Sequence, residues 1–457
     1  MTAALAILRD KKLFKSLAVI AIPIALQNLI TYMTSMLDTV MLGQLGEVAL
    51  SGSALANQFG SIFMGLTFGI ASGANVMLSQ YWGKGDVKSM HSVLAVMYRV
   101  TAVLSLGFVA AGRLFPAQIL SLFSSDAEVI AAGAQYLKAV CFNYFFNGMA
   151  NVMLMSLRSV GTVRISIAVY TTSMFTNGIL NYALIFGKLG APRLEMRGAA
   201  IATVIARMVE FAIAAVFVLR HEKKIHMTLH DLRHYDHSFL RDFAVTVTPV
   251  MLNELLWALG SSMLMVVMGR MGRDFVSANS IANVTSYFVQ VFIIGIGNAV
   301  AVVVGNIIGA EEYQRARDMA KGMVVLSVGL GAVAGLLFML VRPVVVGFYN
   351  IPDATKALAM DLMIVYSVMV FFQSINFVSL MGILRGGGDT RFVLLCDVVF
   401  LWGLSIPLGF VAGLVLKWPP PLVYLVLKTD EIVKVIAAVV RIWRGKWVRN
   451  VTRQEEG

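Results

Sequence analysis

The chain has 457 residues, of which 58% are hydrophobic and 14% charged, with a mean hydropathy of +0.80. A soluble protein of this length needs far more charge to cover its surface, so soluble classes are excluded. A net charge of +12 invites a nucleic-acid reading, but the basic residues cluster in loops on one side of the apolar runs, so nucleic acid is excluded as a partner.

Apolar runs of roughly 20 residues, enough to cross a bilayer, recur along the whole chain. Twelve spans are expected at 13–38, 49–76, 91–113, 129–156, 163–186, 198–220, 239–267, 277–305, 318–341, 357–384, 391–415 and 420–441. A β-barrel would show short alternating segments instead. The first run is too long for a signal peptide and lacks a cleavage site, so it counts as a helix. With both termini in the cytoplasm, inner segments collect about 22 Lys/Arg and outer ones about nine. The prediction is an all-α polytopic protein of the inner or plasma membrane.

In span one, Pro23 should kink the helix, Gln27 and Asn28 follow it, and Asp38 lies near the outer end. An acid at a helix end can be functional or simply face water. Gln58 in span two is a buried polar candidate. The turn Arg158-Ser159-Val160-Gly161-Thr162 is expected as a tight loop whose arginine anchors topology. In span five, Asn177 and Asn181 are four residues apart and share a helix face, beside Tyr182. They can line a cation or substrate site or bind two helices together. Arg207 and Glu210 in span six are expected to neutralise each other.

Residues 221–237 form the longest internal polar stretch and hold five of the six histidines. His226, His230 and His234 are spaced for one helical face, yet with acid and arginine interleaved and no cysteine ligand the segment is expected to be an exposed linker without metal. Span seven carries Pro249, Asn253, Glu254 and Trp257. Asp397 in span eleven has no sequence neighbour that explains it, and Cys141 and Cys396 are expected as packed thiols.

The chain repeats itself. An offset of 226 lays Pro23, Gly43, Gly46, Gly69 and Gly83 on Pro249, Gly269, Gly272, Gly295 and Gly309. An offset of 227 lays Arg158, Gly161 and Arg164 on Arg385, Gly388 and Arg391. Duplicated helical units are a common route to alternating access. Four regions follow: 1–220 and 238–443 as six-helix lobes related by a pseudo-twofold along the membrane normal, 221–237 as a cytoplasmic connector, and 444–457 as a basic cytoplasmic tail. The acids break the repeat, since Asn28 matches Glu254 and Asp38 matches Leu264. A scaffold shared without its carboxylates suggests that chemistry placed them. A mid-membrane carboxylate costs about 3 kcal/mol on insertion scales and is normally paired or functional.

Taken together, the chain resembles the multidrug and toxic compound extrusion (MATE) family of cation-coupled antiporters. The resemblance rests on Asp38-Thr39-Val40-Met41-Leu42-Gly43, the Pro249 to Glu254 segment, Leu384-Arg385-Gly386 with Asp389-Thr390, and the close around Asp430-Glu431 and Lys434. It implies export of amphipathic, often cationic organic compounds driven by H⁺ or Na⁺. It also implies an amino-lobe network of Asp38, Asn177 and Asn181, with Glu254 as the carboxy-lobe acid. Asn253, Trp257 and Gln58 are further candidates for the substrate or cation network. Some members carry an acid where Asn181 stands and others an Asp near Gln373-Ser374-Ile375, so the coupling ion stays open between H⁺ and Na⁺. No further cofactor is expected, and the protein is expected to be monomeric. A flippase for lipid-linked precursors is the alternative; an enzyme is not expected, because the spans lack a nucleophile–base pair or metal-ligand set.

Overall fold

The computed structural model describes residues 10–453 except 234, 235, 237 and 350. Every regular element among these residues is helical. Among the described residues nine helices are long and apolar enough to cross a membrane, and in lipid a helix is the element that satisfies its own backbone. The other three expected spans are helical in a different way. The fourth breaks between Ala127–Val140 and Asn143–Ser159, and the twelfth breaks at Lys428 between Pro420–Leu427 and Thr429–Trp443. The fifth is one helix, Arg164–Phe186, interrupted by Ser, Thr and Asn. Pro23 and Pro249 lie inside continuous helices, Lys11–Gly43 and Phe239–Met271.

The helices form two compact units. The amino unit is Leu26–Leu78 with Asp86–Met251; the carboxy unit takes the stretch ending at Ala25, Ser79–Gly85 and the chain from Leu252 onward. Each has its own core. Leu42, Phe63, Leu137 and Tyr144 belong to that of the amino unit, and Phe275, Phe338, Tyr366 and Tyr424 to that of the carboxy unit. The units therefore exchange segments relative to the sequence halves. Glycines explain why. A Cβ on Gly69 would sit 2.7 Å from the Met251 Cα, and one on Gly295 would sit 2.7 Å from the Ala21 carbonyl oxygen. Span two thus lies directly on the start of span seven, and span eight on the start of span one.

The inner ends repeat this device inside the carboxy unit. A Cβ on Gly83 would collide with the Asn306 carbonyl, and one on its repeat partner Gly309 with the Gln80 carbonyl. Gly309→Ala should cost about 1–3 kcal/mol, since backbone cannot yield as a side chain does. Thermal unfolding of the purified protein checks this against Gly329→Ala, where a Cβ meets nothing within 4 Å.

Two polar segments are more tightly held than expected. His91 bonds the Ile225 carbonyl at 2.7 Å, Arg99 donates to the Leu232 carbonyl at 2.6 Å, and Lys224 donates to the Val160 carbonyl at 2.6 Å. The connector is thus docked on span three and the turn after span four rather than loose in solvent. Its helix covers only Leu229–Arg233, and His226 precedes it with φ of +50°. His226 and His230 therefore share no helical face, and His234 lies outside the described residues. Asp231, at this helix, has its carboxyl held below the ordinary range by the Thr228 hydroxyl, with His91 adding to the effect.

The basic tail is also packed. Trp447 is fully buried. The Gln80 amide bonds both the Arg449 carbonyl and the Val451 N–H, and Lys84 reaches the Arg453 carbonyl. Cys141 and Cys396 are buried free thiols, as expected.

Candidate functional site

The repeated turns carry more than topology. Gly161 (φ +73°) and Gly388 (φ +84°) adopt the left-handed conformation that ends a helix most readily at glycine. The bonding is the same in both: Gly161 N–H to Arg158 O and Thr162 N–H to Leu157 O, against Gly388 N–H to Arg385 O and Asp389 N–H to Leu384 O. The arginine in each turn points back into its helix bundle. Arg158 and Arg385 are 4% and 2% exposed, which corrects the reading of Arg158 as a loop anchor. Arg158 donates to the Gln27 side-chain oxygen at 2.8 Å, and Arg385 donates to Glu254 at 2.8 Å. The same device reaches a neutral amide in one half and a carboxylate in the other.

Glu254 is therefore not an isolated acid. Its charge is matched inside the carboxy unit by a guanidinium that is itself buried. Asn253 beside it is buried, with an oxygen lacking a partner among the described residues. Trp257, one turn on, is half exposed (51%) and takes no part in the pair. Gln58, in the amino unit, is exposed rather than buried.

In the amino unit the predicted constellation does assemble. Asn181 donates from Nδ2 to Asp38 Oδ1 at 2.5 Å and to Asn177 Oδ1 at 3.0 Å. Asn177 in turn donates to Thr203 Oγ1 at 3.5 Å. Asn177 and Asn181 are fully buried while Asp38 is half-buried. The Asn181 oxygen has no partner among the described residues. In the same unit, Arg207 Nη1 lies 2.5 Å from Glu210, and Ser173 also donates to Glu210. The pair expected in span six is present, and it neutralises itself.

The carboxy unit holds a second cluster that sequence reasoning did not assemble. Asp397 meets Lys434 at 2.7 Å, and Asp430 meets the same ammonium at 2.8 Å. Ser405 ties in by donating to Asp430. Glu431 accepts from the amides of Asn376 and Gln373, and Gln373 accepts from Gln290. Asp430, Glu431 and Lys434 are near neighbours in sequence, so their i, i+4 spacing was a usable signal. Asp397 and Asn376 come from other helices and gave none.

The sequence profile of the MatE family matches residues 23–183 and again 249–411. Together the two matches cover more than half of the chain and coincide with its two repeats. The chain belongs to the MatE family.

This MatE protein is 24% identical over 412 residues to "Multidrug resistance protein PmpM" of Pseudomonas aeruginosa, covering 89% of this chain and 85% of the relative. It is 22% identical over 413 residues to "Uncharacterized transporter YisQ" of Bacillus subtilis, with 90% of each covered. Its fold matches the MATE transporter VcmN of Vibrio cholerae in the bent form, with a TM-score of 0.85 at 17% identity over 97% of this chain and 98% of that one. The MatE fold is all-α, with twelve membrane helices, as the spacing of apolar runs predicts. The protein is thus a multi-pass membrane transporter.

Proposed function

We propose that this MatE protein is a secondary exporter that moves amphipathic, cationic organic compounds by antiport against H⁺ or Na⁺. The relative from Pseudomonas aeruginosa is named a multidrug resistance protein, which supports the substrate class. The observation that carries the reading is the Asp38 site. A half-buried carboxylate is held there by neutral amides, next to a buried amide oxygen with no partner among the described residues. Such a group lowers its energy by taking up a proton or a small cation, and releases it when the site opens to the other compartment.

Asp38 and Glu254 are the two coupling acids in this reading, and they are held differently. Asp38 meets amides, whereas Glu254 must exchange Arg385 for its ion or substrate cation. The membrane potential supplies about 2.3 kcal/mol per charge per 100 mV, enough to drive accumulation. The excess of basic residues in one set of loops supports a cytoplasmic position for both termini. A flippase site for pyrophosphate would want cationic walls, and the clusters built by Asp38 and by Asp397, Asp430 and Glu431 carry the opposite sign.

The test is reconstitution into liposomes with separately imposed pH and Na⁺ gradients, following a fluorescent organic cation. One of the two gradients is expected to drive uphill movement. Equal, purely downhill flux under both would remove the antiport reading.

A further inference from the structure

The residues that follow the last span close over the turn that carries Arg385. Trp447 is fully buried, and a Cβ on Gly387 would collide with its indole. The Arg449 N–H donates to the Gly387 carbonyl at 2.8 Å, and the Arg449 carbonyl oxygen would lie 2.6 Å from a Cβ on Gly388. Asp389 is fully buried and meets two guanidinium groups, Arg441 Nε at 2.8 Å and Arg449 Nη2 at 3.0 Å. The turn also lies against span eight, where a Cβ on Gly386 would sit 2.7 Å from the Ala301 Cα. Residues 386–389 are thus held by span eight and by the tail. They begin one residue past the guanidinium that meets Glu254 at 2.8 Å.

The tail is itself fixed to the end of span two. Gln80, fully buried, donates from Nε2 to the Arg449 carbonyl at 3.1 Å and accepts at Oε1 from the Val451 N–H at 2.8 Å. Lys84 donates to the Arg453 carbonyl at 2.7 Å. The repeat supplies an independent comparison. Val160 is the partner of Gly387 at the offset of 227, and its carbonyl is also taken by the segment after the sixth span of its own half, through Lys224 Nζ at 2.6 Å. The charged part of the clamp has no counterpart there, because Thr162 stands where Asp389 does. In that half Arg158 meets a neutral amide, whereas Arg385 meets a carboxylate. The doubly paired acid thus accompanies the arginine whose misplacement costs more, since a buried charge left without its partner is strongly destabilising. The helix that leads to Arg385 is wound as a wider π-helix over Phe377–Leu384, a winding found frequently at functional sites.

We propose that Trp447 and Arg449 are positioning residues for the Glu254–Arg385 pair. The tail fixes the turn after span ten, and the turn fixes how far the guanidinium reaches toward Glu254. Trp447 acts by packing, because its indole fills the space that a side chain on Gly387 would take. Arg449 acts by charge and by backbone, sharing Asp389 with Arg441 and closing on the Gly387 carbonyl. A looser clamp lets Arg385 withdraw, and a cation that competes with the guanidinium for Glu254 then binds more tightly. This consequence for transport rests on the antiport reading; the positioning does not.

Thermal unfolding of the full-length protein in lipid nanodiscs tests the positioning by a double-mutant cycle. Trp447→Ala should lower the unfolding temperature, and the loss should be at least about twofold smaller when Glu254→Leu and Arg385→Leu are already present, because no pair is left to position. Equal losses in the two backgrounds overturn the proposal, since a tail that only packs contributes the same to both. If Trp447→Ala does not fold, Arg449→Gln carries the cycle, and Arg449→Lys should restore the wild-type temperature by keeping a cation at Asp389. In liposomes, Arg449→Gln should lower the half-saturating concentration of the driving ion at least about threefold, a change that general loss of stability does not produce. A coupled unfolding cycle with that concentration unchanged keeps the positioning and removes Glu254 from the coupling step. Wild-type protein without gradient-driven flux removes the antiport reading, and the unfolding cycle then decides the positioning by itself.

Discussion

Glu254→Ala is expected to destabilise the protein by about 3–5 kcal/mol, the cost of leaving a buried guanidinium without its partner. Arg385 is 2% exposed and cannot turn to water without moving the end of span ten. Replacing both residues, as Glu254→Leu with Arg385→Leu, should recover most of that loss, because no uncompensated charge remains. The repeat provides an internal control. Arg158 is equally buried yet meets only the neutral Gln27 oxygen at 2.8 Å. Glu254→Gln recreates that contact and should lose roughly half as much as the alanine variant, since a bond to a charged group is worth about 1.5–3 kcal/mol. Thermal unfolding of the four proteins orders them. An alanine variant as stable as wild type would show that the pair is not what holds Arg385 in place.

For Asp38→Asn the expected effect is on coupling rather than folding. The side chain keeps its shape and can still accept from Asn181, but it can no longer change charge. Gradient-driven efflux from liposomes should fall at least about tenfold, a change of roughly 1.4 kcal/mol in the barrier. Downhill substrate exchange should persist, and the unfolding temperature should stay close to wild type. Uphill flux at the wild-type rate would remove Asp38 from the coupling step. Asn181→Ala supplies a useful contrast, because it leaves the acid able to titrate while removing the amide that donates to it at 2.5 Å.

The two arginine contacts show why part of the site was legible and part was not. Arg158–Gln27 and Arg385–Glu254 both join residues 131 apart. The repeat matched Arg158 with Arg385, and the same offset of 226 that laid Asn28 on Glu254 lays Gln27 on Asn253. What it could not show is that the extra residue between the two offsets moves the second contact one place along, from Asn253 to Glu254. Asp38, Asn177 and Asn181 were easier. Two of the three lie one helical turn apart, and the third is the lone acid in an apolar span.

The number of spans and the duplication belong to the sequence alone. Each follows from local rules: apolar length against bilayer thickness, and recurrence at a fixed offset. Charge pairing belongs to tertiary structure. Glu254 and Asp397 looked alike as acids inside apolar spans, yet one meets a guanidinium and the other shares an ammonium. Coulomb energy depends on distance in space, and partners on different helices leave no trace in the spacing of residues along the chain.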